Sequence, residues 1–328
     1  MSPALGAFGD PLAIARPLSW VVVAAFLAAG VLVDRDRERA RGIGVAAWGL
    51  FAVFWLVLVP HFVFTQKSIV EGLGSIAAVP LSAYAGYRLW QGRDSLFVLT
   101  RAVGIMGLLY LPFAYVPLLE SNPVRGFAIE TVAAQTNVLL GLIGVDPALI
   151  AGTEYFSDVT NSDYQYVGTF LFPGDSQPIT YTIIIACTGV GSMSIIGGLV
   201  LAVKAPIERK LRALAMALPV IYALNLVRNV FIATMFGQQR MQWFVDPVMT
   251  VFGLSDPQLV SYYIADRILA QVGSVVALAV ITWLVVRELP EVLAVVDDVL
   301  YLVTGSEYDL RETFDVPRAR ADGGEGGD

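Results

Sequence analysis

Cysteine occurs once in 328 residues, at position 187, and histidine once, at position 61. A single thiol excludes a disulfide framework and any multi-thiolate metal site. A single imidazole excludes His-rich zinc and di-iron centres. No metal or organic cofactor has visible ligands, and none is expected. Lysine is scarce too, with Lys67, Lys204 and Lys210 the only three among 21 basic residues. Charged residues make up 15% of the chain, where a soluble domain carries about a quarter. No internal repeat and no soluble domain stands out, and nothing points to a nucleic-acid partner.

What fills the chain instead is apolar. It is 56% hydrophobic with a mean hydropathy of +0.68, which places it among polytopic membrane proteins. The formal charge is −7. A Lys-poor acidic chain ending in "RARADGGEGGD" fits a high-salt cytoplasm, where carboxylates keep surfaces hydrated. A high-GC codon bias also replaces Lys with Arg, so composition leaves both readings open. The opening "MSPALGAFGDPLAIARPLSW" has no basic stretch before its apolar run and is not expected to be a cleaved signal peptide.

Runs long enough to cross a bilayer fall at roughly 18–33, 43–64, 68–90, 97–119, 183–203, 213–236 and 262–286. Basic loops follow the first, third and fifth of these: "DRDRERARG", "RLWQGRDSLFVLTR" and "KAPIERKLR". They alternate with loops nearly free of basic residues. The positive-inside rule then puts the N-terminus outside, the C-terminus in the cytoplasm and the basic loops inside. Segment 127–145 is long enough to span, but Glu130, Gln135 and Asn137 make one face polar. Crossing there would put basic loops outside, so an interfacial or re-entrant helix is expected. "LPEVLAVVDDVLYLVTG" reads as an amphipathic helix on the cytoplasmic surface. The expected fold is an all-α polytopic membrane protein of about seven transmembrane helices, eight if 127–145 crosses. The whole chain is one integral-membrane domain, with an extracytoplasmic insert at 145–182. Residues 287–328 form the cytoplasmic helix and a disordered acidic tail. In the insert, "YQYVGTFLF" and "ITYTIII" predict a strand pair joined by "PGDSQP", a small β element leading into Cys187. In the second outer loop, 237–261, Met241, Trp243, Phe244 and Phe252 are expected at headgroup level.

Charge within spans is expensive, about 2.5–3.5 kcal/mol per residue, and is a functional candidate by default. Arg228 lies about eight residues before the outer end of its span, roughly 12 Å deep. Arg267 lies about five residues below the outer start of the last span, roughly 8 Å down. Cys187 lies a similar distance into its own. Three helices thus bring a thiol and two guanidinium groups to one depth in the outer leaflet. Guanidinium groups favour a thiolate and offer forked donors to an oxyanion, carboxylate or phosphate. Such a set suits acyl transfer through a thioester. Asn225 and Asn229 flank Arg228, and Asn225 shares its helix face and can donate or accept at the same site; with Tyr263 and Asp266 they are the candidates for substrate or oxyanion support.

Each residue also has a structural role open to it. A lone cysteine at the head of an apolar helix is a packing residue by default. Arg267, beside Asp266 near the interface, can snorkel or pair locally. His61, beside Pro60 at an outer turn, is a candidate base for the thiol. Gly189, Gly191, Gly197 and Gly198 suit a close packing face as well as an active-site turn. A small transporter or channel binding an anion through Arg228 and Arg267 is the alternative from another functional class. A serine protease on Ser192 or Ser194 lacks a His or Lys base in a neighbouring span.

In chain order, "ACTGVGSMSIIGG", "LNLVRNVFIA" and "YYIADRILAQVGS" resemble the exosortase/archaeosortase family of polytopic membrane proteins. The resemblance covers the spans from about 68 onward, and its specific part is 183–275. Spacings of 41 and 39 residues separate the three polar positions. The third is His in the bacterial exosortases and Arg in the archaeal branch; here it is Arg267. The resemblance implies a thiol transpeptidase with Cys187 as nucleophile and Arg228 and Arg267 as the other active-site residues. It implies membrane-anchored substrate proteins, the S-layer glycoprotein foremost, with a C-terminal tripartite signal of Pro-Gly-Phe motif, apolar helix and basic tail. It also implies a membrane lipid as acceptor of the new C-terminus, and the acidic composition agrees with a haloarchaeal source. Protonation of the leaving amine is left to Tyr262, Tyr263, Asp266 or water, since arginine is a poor donor at neutral pH.

Overall fold

Polar turn residues set where the apolar helices begin. The computed structural model describes residues 11–117, 121–157, 162–174, 177–308 and 310. Helix α1 (Pro11–Leu32) ends before the basic loop, and Asp36 caps α2 (Arg37–Pro60), its carboxylate accepting from the Arg39 N–H at 3.0 Å. A π-helical turn, His61–Thr65, closes α2. Ser68 caps α3 (Ile69–Trp90), α4 spans Leu96–Ala114, and Asn122 caps α5 (Pro123–Leu142). In each cap a side-chain oxygen accepts from the first turn's N–H groups, which otherwise lack partners.

The insert follows as β1 (Ala148–Ala151), β2 (Val167–Phe172) and β3 (Ile179–Thr182), an antiparallel sheet in the order β1-β2-β3. The expected strand pair is β2–β3, in register with Phe170 opposite Tyr181 and Phe172 opposite Ile179. Strand β1 is an addition: "ALIA" is too short to stand out by alternation. The tip of "PGDSQP", residues 175 and 176, lies outside the described residues, as do 311–328 and with them the acidic tail.

Helices α6 (Val190–Ala202), α7 (Ile207–Gly237) and α8 (Val245–Phe252) come next. The last long helix runs from α9 (Leu259–Tyr262) through a π segment, Tyr263–Ala270, into α10 (Gln271–Glu288). Helix α11 (Leu293–Thr304) follows.

Among the described residues, six helices are long and apolar enough to cross a membrane: α1, α2 with its π turn, α3, α4, α7 and the α9–α10 rod. The seventh expected span is helical only in part: within 183–203 a strand exit and a 3₁₀ turn precede the 13-residue apolar helix α6. Helix α6 covers about 20 Å and with the six long helices makes up the roughly seven expected. Gly189, with φ of +80°, breaks the run. Helix α5 stands apart from the six. Its Glu130 carboxylate accepts from Val167 N–H of β2, and its Gln135 accepts from the Tyr222 hydroxyl of α7. Glu130 and Gln135 of its polar face are thereby engaged by the sheet and α7.

Two large apolar cores and a smaller third one lie among the described residues. One joins α1–α4, α6, α7, α10 and α11 around Phe26, Trp48, Leu89 and Leu289. Gly197 and Gly198 face Leu109 and Met106 of α4 so closely that a Cβ would collide, so this pair is the packing face. The other core joins the sheet, α5 and α7 through Ile129, Phe170, Phe172, Ile183 and Ile232. Two surface expectations need correction. Met241 and Phe252 are buried in a third cluster, while Trp243 and Phe244 are exposed. In α11 the acidic pair does not simply face water, because buried Asp298 accepts from the Ser95 hydroxyl at 2.7 Å.

Candidate active site

Strand β3 carries the chain to Ile184, and a single 3₁₀ turn, Ile185–Cys187, follows. Cys187 is a free, half-buried thiol. The Thr188 hydroxyl folds back onto the Ile185 carbonyl at 2.7 Å. Gly189 then takes the left-handed conformation that starts α6, with Asn225 packed against it. A methyl group there would meet the Asn225 side chain at 3.1 Å as well as strain the backbone. Gly189→Ala is expected to destabilise by about 1–3 kcal/mol. Thermal melting in detergent checks this, and an unchanged midpoint would contradict the turn described.

Helix α7 grips the turn. Asn225 and Asn229, one turn apart, each donate a side-chain N–H to the Cys187 carbonyl at 2.8 Å. Both are buried, Asn229 completely. The Asn229 side-chain oxygen accepts from the Tyr181 hydroxyl of β3 at 3.1 Å, so strand, turn and helix share one polar link. In the functional expectation these asparagines supported substrate or oxyanion; in the structure their amide N–H groups hold the cysteine's backbone.

The two arginines meet over one carboxylate. Asp266 Oδ1 accepts from Arg228 Nη2 at 2.6 Å, and its Oδ2 lies 3.7 Å from Arg267 Nε. Asp266 is 5% exposed, so it is a buried anion balanced by charge from two helices. The Tyr262 ring lies under Arg267, with its centroid 5.6 Å from the guanidinium carbon, a cation–π contact. Tyr263 goes elsewhere: its ring packs on Phe252 of α8 at 4.7 Å. Arg228 lies between Asn225 and Asn229, which bind the Cys187 carbonyl, and Arg267 shares Asp266 with it. The three residues picked out by depth thus come together on three elements, the Cys187 turn, α7 and the π segment. π-helical turns recur at functional sites because they re-aim side chains. His61 packs edge-on against Phe62 in the turn after α2, at 5.5 Å.

Sequence reasoning missed the support from the insert. The Asp163 carboxylate accepts from Ile185 N–H at 3.1 Å and pairs with Arg125 Nε of α5. Neither residue stood out by position or motif. A buried acid in a polar insert looks like any other until its partner is seen.

The chain as a whole has relatives among known proteins. The chain matches the transmembrane exosortase family over residues 16–255 and belongs to it. It is a multi-pass membrane protein of that family. An archaeosortase A from Haloferax volcanii is 51% identical over 299 residues, covering 90% of this chain and 95% of that protein. An archaeosortase A from Natronomonas pharaonis is 42% identical over 290 residues, covering 87% and 88%. No solved structure matches the chain.

Proposed function

We propose that the chain is a membrane cysteine transpeptidase. Its substrates are surface proteins, the S-layer glycoprotein foremost, that end in a Pro-Gly-Phe-type sorting signal. It removes the signal and supports attachment of the new C-terminus to a membrane lipid. The observation that carries this reading is the half-buried Cys187 thiol on a turn that α7 holds through Asn225 and Asn229, the neighbours of Arg228, which in turn shares Asp266 with Arg267.

In this reading the chain is a single integral-membrane domain with the insert and Cys187 on the extracytoplasmic side. The N-terminus is outside and the C-terminal helix and tail are cytoplasmic. The client's apolar helix lies beside the spans and brings its scissile peptide to the interface. The Cys187 sulfur, as thiolate, attacks the scissile carbonyl and forms a C–S bond. Arg228 and Arg267 stabilise first the thiolate and then the tetrahedral oxyanion. The C–N bond breaks and the amine departs with a proton. Asp266 Oδ1 already accepts from Arg228 and the Tyr263 ring packs on Phe252, which leaves Tyr262 and water as proton sources. A lipid headgroup nucleophile then attacks the thioester and releases Cys187.

The test compares C-terminal peptides and attached lipid of surface proteins from cells with and without this gene. Loss of trimming and of lipid together is the expected result. Unchanged C-termini would overturn the reading.

A further inference from the structure

The asparagines of α7 hold the Cys187 turn from one side only. On the other side the turn meets the insert. Ile185, two residues before the thiol, donates its N–H to Asp163 Oδ2 at 3.1 Å, and both groups are buried. Asp163 itself is 1% exposed. Its other oxygen pairs with Arg125 Nε. Arg125, on the first turn of α5, also donates from Nη1 to the Ala114 carbonyl at the end of α4, at 2.9 Å. A neighbouring link runs in parallel: the Tyr166 hydroxyl donates to the Asn122 carbonyl at 2.9 Å, and the Asn122 amide donates to the Pro112 carbonyl at 2.7 Å. The path from the end of α4 to the nucleophile is therefore continuous: Ala114, Arg125, Asp163, Ile185, Cys187.

A buried ion pair is a poor way to gain stability, since desolvation consumes most of the attraction. Its distinctive property is direction: a charged acceptor fixes a backbone N–H more tightly than a neutral one. The N–H fixed here belongs to the turn that carries the thiol, while the Asn225 and Asn229 bonds fix that turn's last carbonyl. With both ends of the Ile185–Cys187 turn fixed from different elements, the sulfur is left little freedom beyond its own side-chain torsion.

We infer that Asp163, clamped by Arg125, is a positioning residue for the Cys187 nucleophile, holding its turn from the insert side. The inference rests on the transpeptidase reading for its effect on turnover, but its effect on the thiol does not. Cys187 is the only cysteine, so thiol alkylation of the full-length protein in detergent reports on that one sulfur.

The experiment measures client turnover and the rate of Cys187 alkylation by a small maleimide for wild type and Asp163→Ala. Turnover is expected to fall about 10-fold or more, as small misplacements of reacting groups do, with the half-saturating client concentration within about twofold. The alkylation rate is expected to change by about threefold or more, in protein that is folded by gel filtration and melting. A neutral pair, Asp163→Asn with Arg125→Gln, keeps an oxygen for Ile185 N–H but loses the charge that tightens the bond, and is expected to recover turnover in part, to between the alanine variant and wild type. If Asp163→Ala does not accumulate, Arg125→Lys replaces it, and the same alkylation change is expected with a smaller loss of turnover. Wild-type turnover and alkylation in the folded variant would overturn the inference. So would a loss explained wholly by the amount of folded protein, or a neutral pair as poor as alanine. If alkylation shifts while wild type itself processes no client, the clamp stands and the transpeptidase reading fails.

Discussion

Cys187→Ala is expected to leave surface clients untrimmed while the protein still folds. Loss of a covalent nucleophile costs about a thousandfold or more, because the remaining groups act as a unit with it. Folding is spared for a specific reason. Asn225 and Asn229 bind the backbone carbonyl of residue 187 rather than its sulfur, and alanine offers the same carbonyl. The half-buried side chain loses one atom, so the melting temperature in detergent is expected to stay close to wild type. Intact-mass analysis of the client's C-terminus reads the outcome. Cys187→Ser is expected to fail as well, since a hydroxyl there has no evident base. An anion transporter working through Arg228 and Arg267 would tolerate both changes, so normal activity in either variant would decide for that class.

Arg228→Gln is expected to lose both activity and stability. Asp266 is 5% exposed and takes its short bond, 2.6 Å, from Arg228; Arg267 approaches only to 3.7 Å. Removing one partner of such a pair leaves a buried charge and costs about 3–5 kcal/mol. Turnover is expected to fall about 100-fold or more, in keeping with the loss of a charged oxyanion donor. The two effects separate in the double variant Arg228→Gln, Asp266→Asn. Neutralising the carboxylate removes the stranded charge, so the melting temperature recovers most of its loss. Turnover does not recover, because the guanidinium is still absent. A double variant that regained turnover would show that Arg228 serves the fold alone.

Cys187, Arg228 and Arg267 are legible in the sequence because a charge inside an apolar run is conspicuous and helix rise converts position into depth. What joins them is not. Asp266 is adjacent in the chain to Arg267, so local pairing looked natural; its closer partner, Arg228, lies 38 residues away on α7. Asn225 and Asn229 were legible as neighbours of Arg228, yet their amides bind a backbone carbonyl that no side-chain pattern records. Asp163 and Arg125 were invisible for a related reason. Each sits among other polar residues outside the six long helices, and only the folding of the insert onto α5 brings them together. Of the fold, the six long helices and the β2–β3 pair followed from apolar length and alternation. The make-up of the 183–203 run did not follow, because apolar length does not tell a helix from a strand, a turn and a short helix in series. The left-handed Gly189 and the 3₁₀ turn before it break that run, and the thiol lies at the break.

The π segment at Tyr263–Ala270 leaves the last long helix with one residue more than a regular α-helix accommodates there. Its register differs above and below, and Asp266 and Arg267 are aimed by that surplus. Deleting a single codon within 263–270 would let the rod close into regular α-helix with its two halves still aligned, since the wide turn is what absorbs the surplus residue, and would re-aim the side chains of the turn itself. The apolar length would still suffice to cross a membrane, yet the carboxylate and guanidinium would leave the thiol's neighbourhood. In genetic terms the site is separable from the fold by an in-frame deletion of one residue, and substitution is not the only mutational class able to silence it.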